Sequence, residues 1–430
     1  MPQAGRISLY GMVACLSSAL DLVSPAVANH QKRTAFIAAR VAEVMKLSAA
    51  QRRAIILAAM LHDCGAMSLG SKLEALDFDF DQKNPHLHAE LGYLFLKKID
   101  AMFQRNQALG MANLVRHHHV AWADGRGRLH NDRIVAMESH LLHLADRVEV
   151  LCKRGRQPLE QAEGVRRRID QSAGESFDPR MVQAFQEAAS REAFWLELEY
   201  LDEIEAYLAD QVGAAGEMPL DMNGLMGLSN IIGEMVDYRS SFTATHSLGV
   251  ARAAELLAEL AGFSQEQRAM IMAAGHLHDI GKLAVPSEIL DKPALLDAAE
   301  MRVVKTHPYQ THRLLSGLSG LGEIRAWAAY HHETLDGAGY PFRLGAAAIP
   351  LGSRIIAVAD IFTALTEDRP YRRGLPLAEV LTILGQLAAT GKQDKLVIGL
   401  AQQHSRRLDE ARRQAQAEGA EGYRRFVAAA

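Results

Sequence analysis

One pattern of histidines and aspartates occurs twice along the chain. His30 is followed 32 residues later by His62-Asp63, then by a histidine run beginning at His117, with Asp146 standing 29 residues beyond His117. In the second half His246 is followed 32 residues later by His278-Asp279, then by His331-His332, with Asp360 standing 29 residues beyond His331. A repeat of this length implies two copies of one fold, each large enough to bury its own core. Residues spread so widely along each copy share a physical reason only if they converge in space, so the pattern predicts a metal site built twice.

The rest of the composition narrows the fold class. With 430 residues, the chain accommodates two domains. Aromatic residues are 6% and prolines number 13 in a sequence rich in alanine and leucine, which predicts an all-α fold. A net charge of −4 argues against a nucleic-acid polymer as partner and leaves room for a local basic patch facing a small anion. No uninterrupted apolar run approaches the ~18 residues of a membrane span. The first residues have only Arg6 ahead of a short apolar stretch, so no signal peptide is read and a cytoplasmic location is expected. Cys15, Cys64 and Cys152 are widely spaced and read as reduced thiols.

Aligned at an offset of 216 residues, the copies pair Asp21 with Asp237 as well as His30 with His246. Each histidine opens a helical pattern, with Ile37, Val41 and Val44 in one copy and Val250, Leu257 and Leu260 in the other on one buried face. AAMLHDCG (58–65) and AAGHLHDIGK (273–282) are apolar helices stopping at a glycine just past the His-Asp pair. LLHLADRVEVL (141–151) matches IIAVADIFTAL (355–365), each placing an aspartate inside an apolar helix. REAFWLELEYLDEIEAYLAD (191–210) reads as one charged amphipathic helix, and QVGAAGEMPLDMNG (211–224) as a linker. The expected division is therefore 1–210, a linker over 211–224, and 225–430.

Aspartate is seldom buried unless it is paired or metal-bound. A carboxylate flanked by imidazoles suits two divalent ions ~3.5–4 Å apart, which together activate water and neutralise phosphate oxygens. Ligation by histidine and carboxylate without thiolate fits Fe, Mn or Zn. Phosphoester hydrolysis is the chemistry this arrangement suits best.

HDIGK (278–282), YHHETLDGAGYP (330–341), RIIAVADIFTAL (354–365) and TEDRPYR (366–372) together resemble the HD-GYP branch of the HD-domain phosphohydrolases. The resemblance covers roughly residues 220–400 and implies two tandem HD-type helical bundles joined by a helical linker. It implies hydrolysis of cyclic di-GMP to linear pGpG or GMP, with two divalent ions, Fe or Mn, as cofactors. His246, His278, Asp279 and Asp360 are then the ligands of one ion. Asp279, His307, His331 and His332 are those of the other. Lys282 is expected on a phosphate oxygen. Gly337, Gly339, Tyr340 and Pro341 are expected to line the pocket, with Arg369 and Arg372 on the dinucleotide phosphates. Phe242 stands where members with a third metal carry glutamate, and Thr311 where a glycine is usual. The alternatives are a catalytically silent metal-bound signalling module and an HD phosphohydrolase acting on another nucleotide such as cyclic GMP-AMP.

In the first copy His30, His62, Asp63, His88, His117, His118 and Asp146 stand in the ligand places and predict a second metal site, with His86 as the rival of His88. Ala66 replaces Lys282, DGRGRLH (124–130) replaces DGAGYP, and Gly155 and Pro158 fall at the places of Arg369 and Arg372. This copy is expected to lack catalysis and to serve regulation, dimerisation or ligand sensing, with a homodimer or a signalling partner expected for the chain. His86, His119, His130, His140, His143, His312 and His404 read as ordinary core or surface residues.

Overall fold

A computed structural model describes residues 7–23, 28–66, 87–103, 109–125, 129–130, 133–240, 243–368 and 372–429. They form two compact units. One spans residues 8–218 and the other 219–428, the latter joined by Ile7, whose carbonyl accepts a hydrogen bond from Leu220 N at 2.8 Å.

Five helices frame the site of the first unit: α1 (His30–Val44), α2 (Ala49–Ala59), α3 (Leu87–Phe103), α4 (Met111–Arg116) and α5 (Met137–Leu151). α1 packs on α2 and α5, and α4 packs on α2, α3 and α5. In the second unit the counterparts are α7 (His246–Leu260), α8 (Gln265–Leu277), α9 (His307–Ser316), α10 (Gly322–Ala329) and α11 (Leu351–Thr366), preceded by α6 (Met222–Asp237) and followed at the chain's end by α12 (Ser405–Ala429). α7 packs on α8 and α11, α8 on α6 and α10, and α9 on α10.

The two copies share their local devices. α2 and α8 both start on a capping box, Ser48 with Gln51 and Ser264 with Gln267, so that side chains satisfy N–H groups the first helical turn leaves unpaired. Ile37, Val41, Val250 and Leu257 are fully buried, as their spacing predicts. The strands among the described residues are a two-residue antiparallel ribbon, Leu129–His130 with Arg133–Ile134, so the all-α class holds. No helix there is long and apolar enough to cross a membrane.

Two expectations need correction. The segment 191–210 is not one helix but two, Glu192–Glu197 and Leu201–Gly213. Trp195 and Leu198 are buried, and an unbroken helix would carry that face onto Asp202, whereas the break lets Ile204 and Leu208 turn inward instead. The expected linker is also shorter: the second helix runs to Gly213, and Asp221 caps α6 by accepting from Gly224 N at 2.7 Å.

Candidate metal centre

The second unit builds its site from helix ends, where backbone carbonyls have no intrahelical partner. His278 caps the C-terminus of α8 and its Nδ1 donates to Gly275 O at 2.6 Å. His331 follows α10 and donates to Ala328 O at 2.5 Å, and His307 donates to Val304 O at 2.8 Å. A carbonyl can only accept, so each Nδ1 carries the proton and each Nε2 presents a lone pair to the interior. His246 uses Nδ1 in the same way toward Glu367 Oε2, at 2.8 Å.

These lone pairs meet. His307 Nε2 and His331 Nε2 lie 3.2 Å apart, and His246 Nε2 lies 3.2 Å from Asp360 Oδ1. Asp279 stands between the two groups, with Oδ2 3.1 Å from His278 Nε2 and Oδ1 3.3 Å from His307 Nε2. His246, His278 and Asp360 form one set whose donor atoms lie within 4.8 Å of one another, and His307, His331 and His332 form another. Asp279 Oδ1 is buried and accepts no hydrogen bond. Acceptors aimed at acceptors in a buried site are costly unless a cation lies among them. The donor set fits two divalent ions.

Electrostatics favour the ligating protonation states at every shifted group but His278, where burial pushes the imidazole down and Asp279 outweighs it. Burial pushes the Asp279 carboxyl up, but His278, Lys282 and His307 outweigh it and hold it well below the usual range. Asp360 is likewise held low against its burial by His246, His278 and His332. Burial drives His307 down to about 3 and His331 to about 4, so both are neutral near pH 7, the form that binds metal.

Around this centre stand the residues expected to meet substrate. Lys282, on a short turn of 3₁₀ helix (Ile280–Ala284), places Nζ 2.5 Å from Asp279 Oδ2 with its side chain 21% exposed. The loop 333–344 folds over His332. Tyr340 stacks on the His332 ring at 4.8 Å, and Lys305 Nζ lies 5.1 Å from the Tyr340 ring centre. Buried Glu333 anchors the loop by accepting from Phe342 N and Leu344 N. Gly339 is required by close approach, since a Cβ there would lie 2.4 Å from Thr334 N, and Gly337 adopts φ 74°. Pro341 follows Tyr340 through a cis peptide bond. Thr311 is well accommodated: its Oγ1 donates to His278 O at 2.9 Å and accepts from Gly281 N at 3.1 Å, tying α9 to the His-Asp turn.

Arg372, expected on a dinucleotide phosphate, lies at the end of α11. Its guanidinium donates to the carbonyls of Ala364 (2.6 Å), Arg373 (3.0 Å), Leu365 (3.2 Å) and Glu367 (3.3 Å), at and beyond the C-terminal end of α11. Unpaired carbonyls and the negative end of the helix dipole draw it there. Arg369, Phe242 and His86 lie outside the described residues.

The first unit repeats the arrangement with one change of register. His118 Nδ1 donates to Val115 O at 2.5 Å, as His331 does to Ala328. His118 and His119 have ring centres 3.9 Å apart, against 4.1 Å for His331 and His332. His88, His118 and His119 form one convergent set. His118 and His119, not His117 and His118, are therefore the counterparts of His331 and His332. His117 is the C-cap of α4, as Tyr330 is of α10, and its Nδ1 turns back to Asn113 O. His88 is the counterpart of His307, because a Cβ on Gly65 would strike His88 O just as one on Gly281 would strike His307 O.

Sequence reasoning missed the groups behind the ligands. Glu367 holds His246, and Glu149 holds His30 through Oε2 at 2.5 Å. They stand seven residues after Asp360 and three after Asp146. Glu149 lies on its helix one turn past Asp146 and Glu367 is the C-cap of α11 two turns past Asp360, and those spacings are the signal that points to them. Gln416 of α12 in turn donates to Glu367 Oε1.

Residues 27–191 and residues 229–397 each match the HD domain family. The 3′3′-cGAMP-specific phosphodiesterase 1 of Vibrio cholerae is 30% identical over 407 residues, 93% of this chain and 92% of that protein. The cyclic di-GMP phosphodiesterase response regulator RpfG of Xanthomonas campestris is 40% identical over 173 residues, 39% of this chain and 46% of that protein. A crystal structure of a cyclic GMP-AMP-specific phosphodiesterase from V. cholerae shares the fold at a TM-score of 0.64 and 24% identity, over 97% of this chain and 98% of that one. Two HD domains in one chain, matched almost end to end by a named relative, place this protein in the family of HD-domain phosphodiesterases.

Proposed function

We propose that the second domain hydrolyses a phosphodiester bond of a cyclic dinucleotide at the centre built on Asp279. The observation that carries this reading is the convergence of two His/Asp donor sets on a shared Asp279 beside the partly exposed Lys282. His246, His278 and Asp360 would hold one divalent ion, and His307, His331 and His332 the other, with Asp279 common to both. Fe and Mn suit these donors. When bound, such a pair supplies an activated water and neutralises the non-bridging phosphate oxygens. The chain's own residues do the rest. Backbone carbonyls fix the imidazole tautomers, Lys282 offers a positive charge next to the reacting phosphate, and the Gly337–Pro341 loop presents Tyr340 over His332.

Cyclic GMP-AMP is favoured over cyclic di-GMP by one observation. The relative that spans both HD domains is specific for 3′3′-cGAMP, whereas the cyclic di-GMP relative matches 39% of this chain. Competition between the two dinucleotides for one Mn(II)-loaded preparation tests the choice. A higher kcat/KM for cyclic GMP-AMP is expected, and preferential cleavage of cyclic di-GMP would restore the substrate expected from the sequence.

A further inference from the structure

Two residues before His307 stands a cation that the donor sets do not use. Lys305 caps the C-terminus of the short helix Ala298–Val304, and its backbone is fixed there: its N–H donates to Met301 O at 3.0 Å, and that of Thr306 donates to Val303 O at 3.1 Å. Val304 O is taken by His307 Nδ1 at 2.8 Å. One helix end therefore turns His307 into the centre and leaves Lys305 exposed beside it.

The Lys305 side chain lies against the rim of the centre. Its Nζ is 5.1 Å from the middle of the Tyr340 ring, and that ring stacks on His332 at 4.8 Å. Burial, and then Asp360 and Asp279, push the Tyr340 hydroxyl up, so the ring also stands in the field of both carboxylates. Tyr340 thus spans from the donor sets to Lys305. An ammonium resting on an aromatic ring is steadied there and keeps N–H groups to donate. Lys282, by contrast, is engaged by Asp279 Oδ2 at 2.5 Å. The centre has one lysine at the shared carboxylate and another at its rim, one ring away.

A cyclic dinucleotide carries two phosphates on opposite sides of one ring. When one lies over the ions the other is held beyond them, still charged, and leaving water without a cationic partner is costly for it. We propose that Lys305 binds the phosphate that is not cut, and so makes the site select diesters that carry a second phosphate. This inference rests on the cyclic-dinucleotide reading of the second domain.

The test compares the Mn(II)-loaded full chain with Lys305→Met on two diesters. One is a cyclic dinucleotide, cyclic GMP-AMP or, where it is cleaved faster, cyclic di-GMP. The other is bis(p-nitrophenyl) phosphate, which has a single phosphate and is followed as substrate or as competitive inhibitor. In Lys305→Met the KM for the dinucleotide is expected to rise about 10-fold, the low end for a hydrogen bond to a charged group, and selectivity over the one-phosphate diester to fall by the same factor. Lys305→Arg, which keeps the charge, is expected to restore most of that selectivity. Added NaCl is expected to narrow the gap between wild type and Lys305→Met, because an exposed pair is screened. Wild-type selectivity in Lys305→Met would overturn the inference, as would equal losses on both diesters, the mark of a disturbed His307. Either result leaves dinucleotide hydrolysis by the wild type standing. A wild type that cleaves bis(p-nitrophenyl) phosphate and neither dinucleotide would instead remove the cyclic-dinucleotide reading, and this inference with it.

Discussion

Substituting Gln416 tests how far outward the catalytic centre is organised. Gln416 belongs to α12, which lies beyond residue 397, where the HD domain match ends, yet its Nε2 donates to Glu367 Oε1 and reaches Thr245 O at 3.4 Å. Arg412 Nη1 fixes the carboxamide from the other side, donating to its Oε1 at 2.5 Å. The line runs Arg412, Gln416, Glu367, His246, so the carboxamide orients the carboxylate that orients a ligand. Loss of a group hydrogen-bonded directly to a ligating histidine costs ~10–100-fold in metal affinity. Gln416 stands one step further out, so Gln416→Ala is expected at the low end, ~10-fold or about 1.4 kcal/mol. Calorimetric titration of the metal-free chain with Mn(II) reads this directly, with Glu367→Gln expected to be the weaker binder of the two variants. Gln414→Ala is the control, since exposed Gln414 pairs only along its own helix with Glu418. Equal affinities for Gln416→Ala and Gln414→Ala would refute the outward extension of the site.

Lys282→Met is expected to lower kcat by ~100-fold or more while metal content stays that of the wild type, because it removes a positive charge at the reacting phosphate and no ligand; parallel kinetics and metal analysis check it. Gly339→Ala forces a Cβ within 2.4 Å of Thr334 N and 2.5 Å of Glu333 Cα, neither of which is a side chain that can swing away. It is expected to cost about 1–3 kcal/mol in thermal unfolding and to raise KM. In the first domain, burial and then His143 push His140 down to about 4 from 6.5. Its folded pKa is depressed, so the unfolded chain takes up the proton first, and stability present above pH 6.5 is lost as the pH falls toward 4. Between pH 6.5 and 5 this amounts to about 2 kcal/mol, and His140→Gln is expected to flatten the pH dependence of unfolding by that amount in chemical denaturation.

The duplication, the helical class and the convergence of the second-copy ligands were legible because spacing and burial pattern carry them. The two capping boxes repeat at the same offset as the ligands, so local and global signals agree. The first copy's histidine register was not legible. The matching 29-residue interval singles out His117, whereas the choice is made by where α4 ends, which fixes the carbonyl that His118 can reach. Glu149, Glu367 and Gln416 act through other side chains, and only the fold brings Gln416 back across 49 residues to Glu367.

The central claim is that hydrolysis belongs to the donor sets that share Asp279. It is tested most directly by anaerobic turnover of cyclic GMP-AMP and cyclic di-GMP by the Mn- or Fe-loaded chain beside Asp279→Ala, with products separated by chromatography. Metal-dependent cleavage by the wild type, reduced to background in Asp279→Ala, is the expected result. Wild-type turnover in Asp279→Ala, or no cleavage of either dinucleotide by a chain with its second-domain metals bound, would contradict the account.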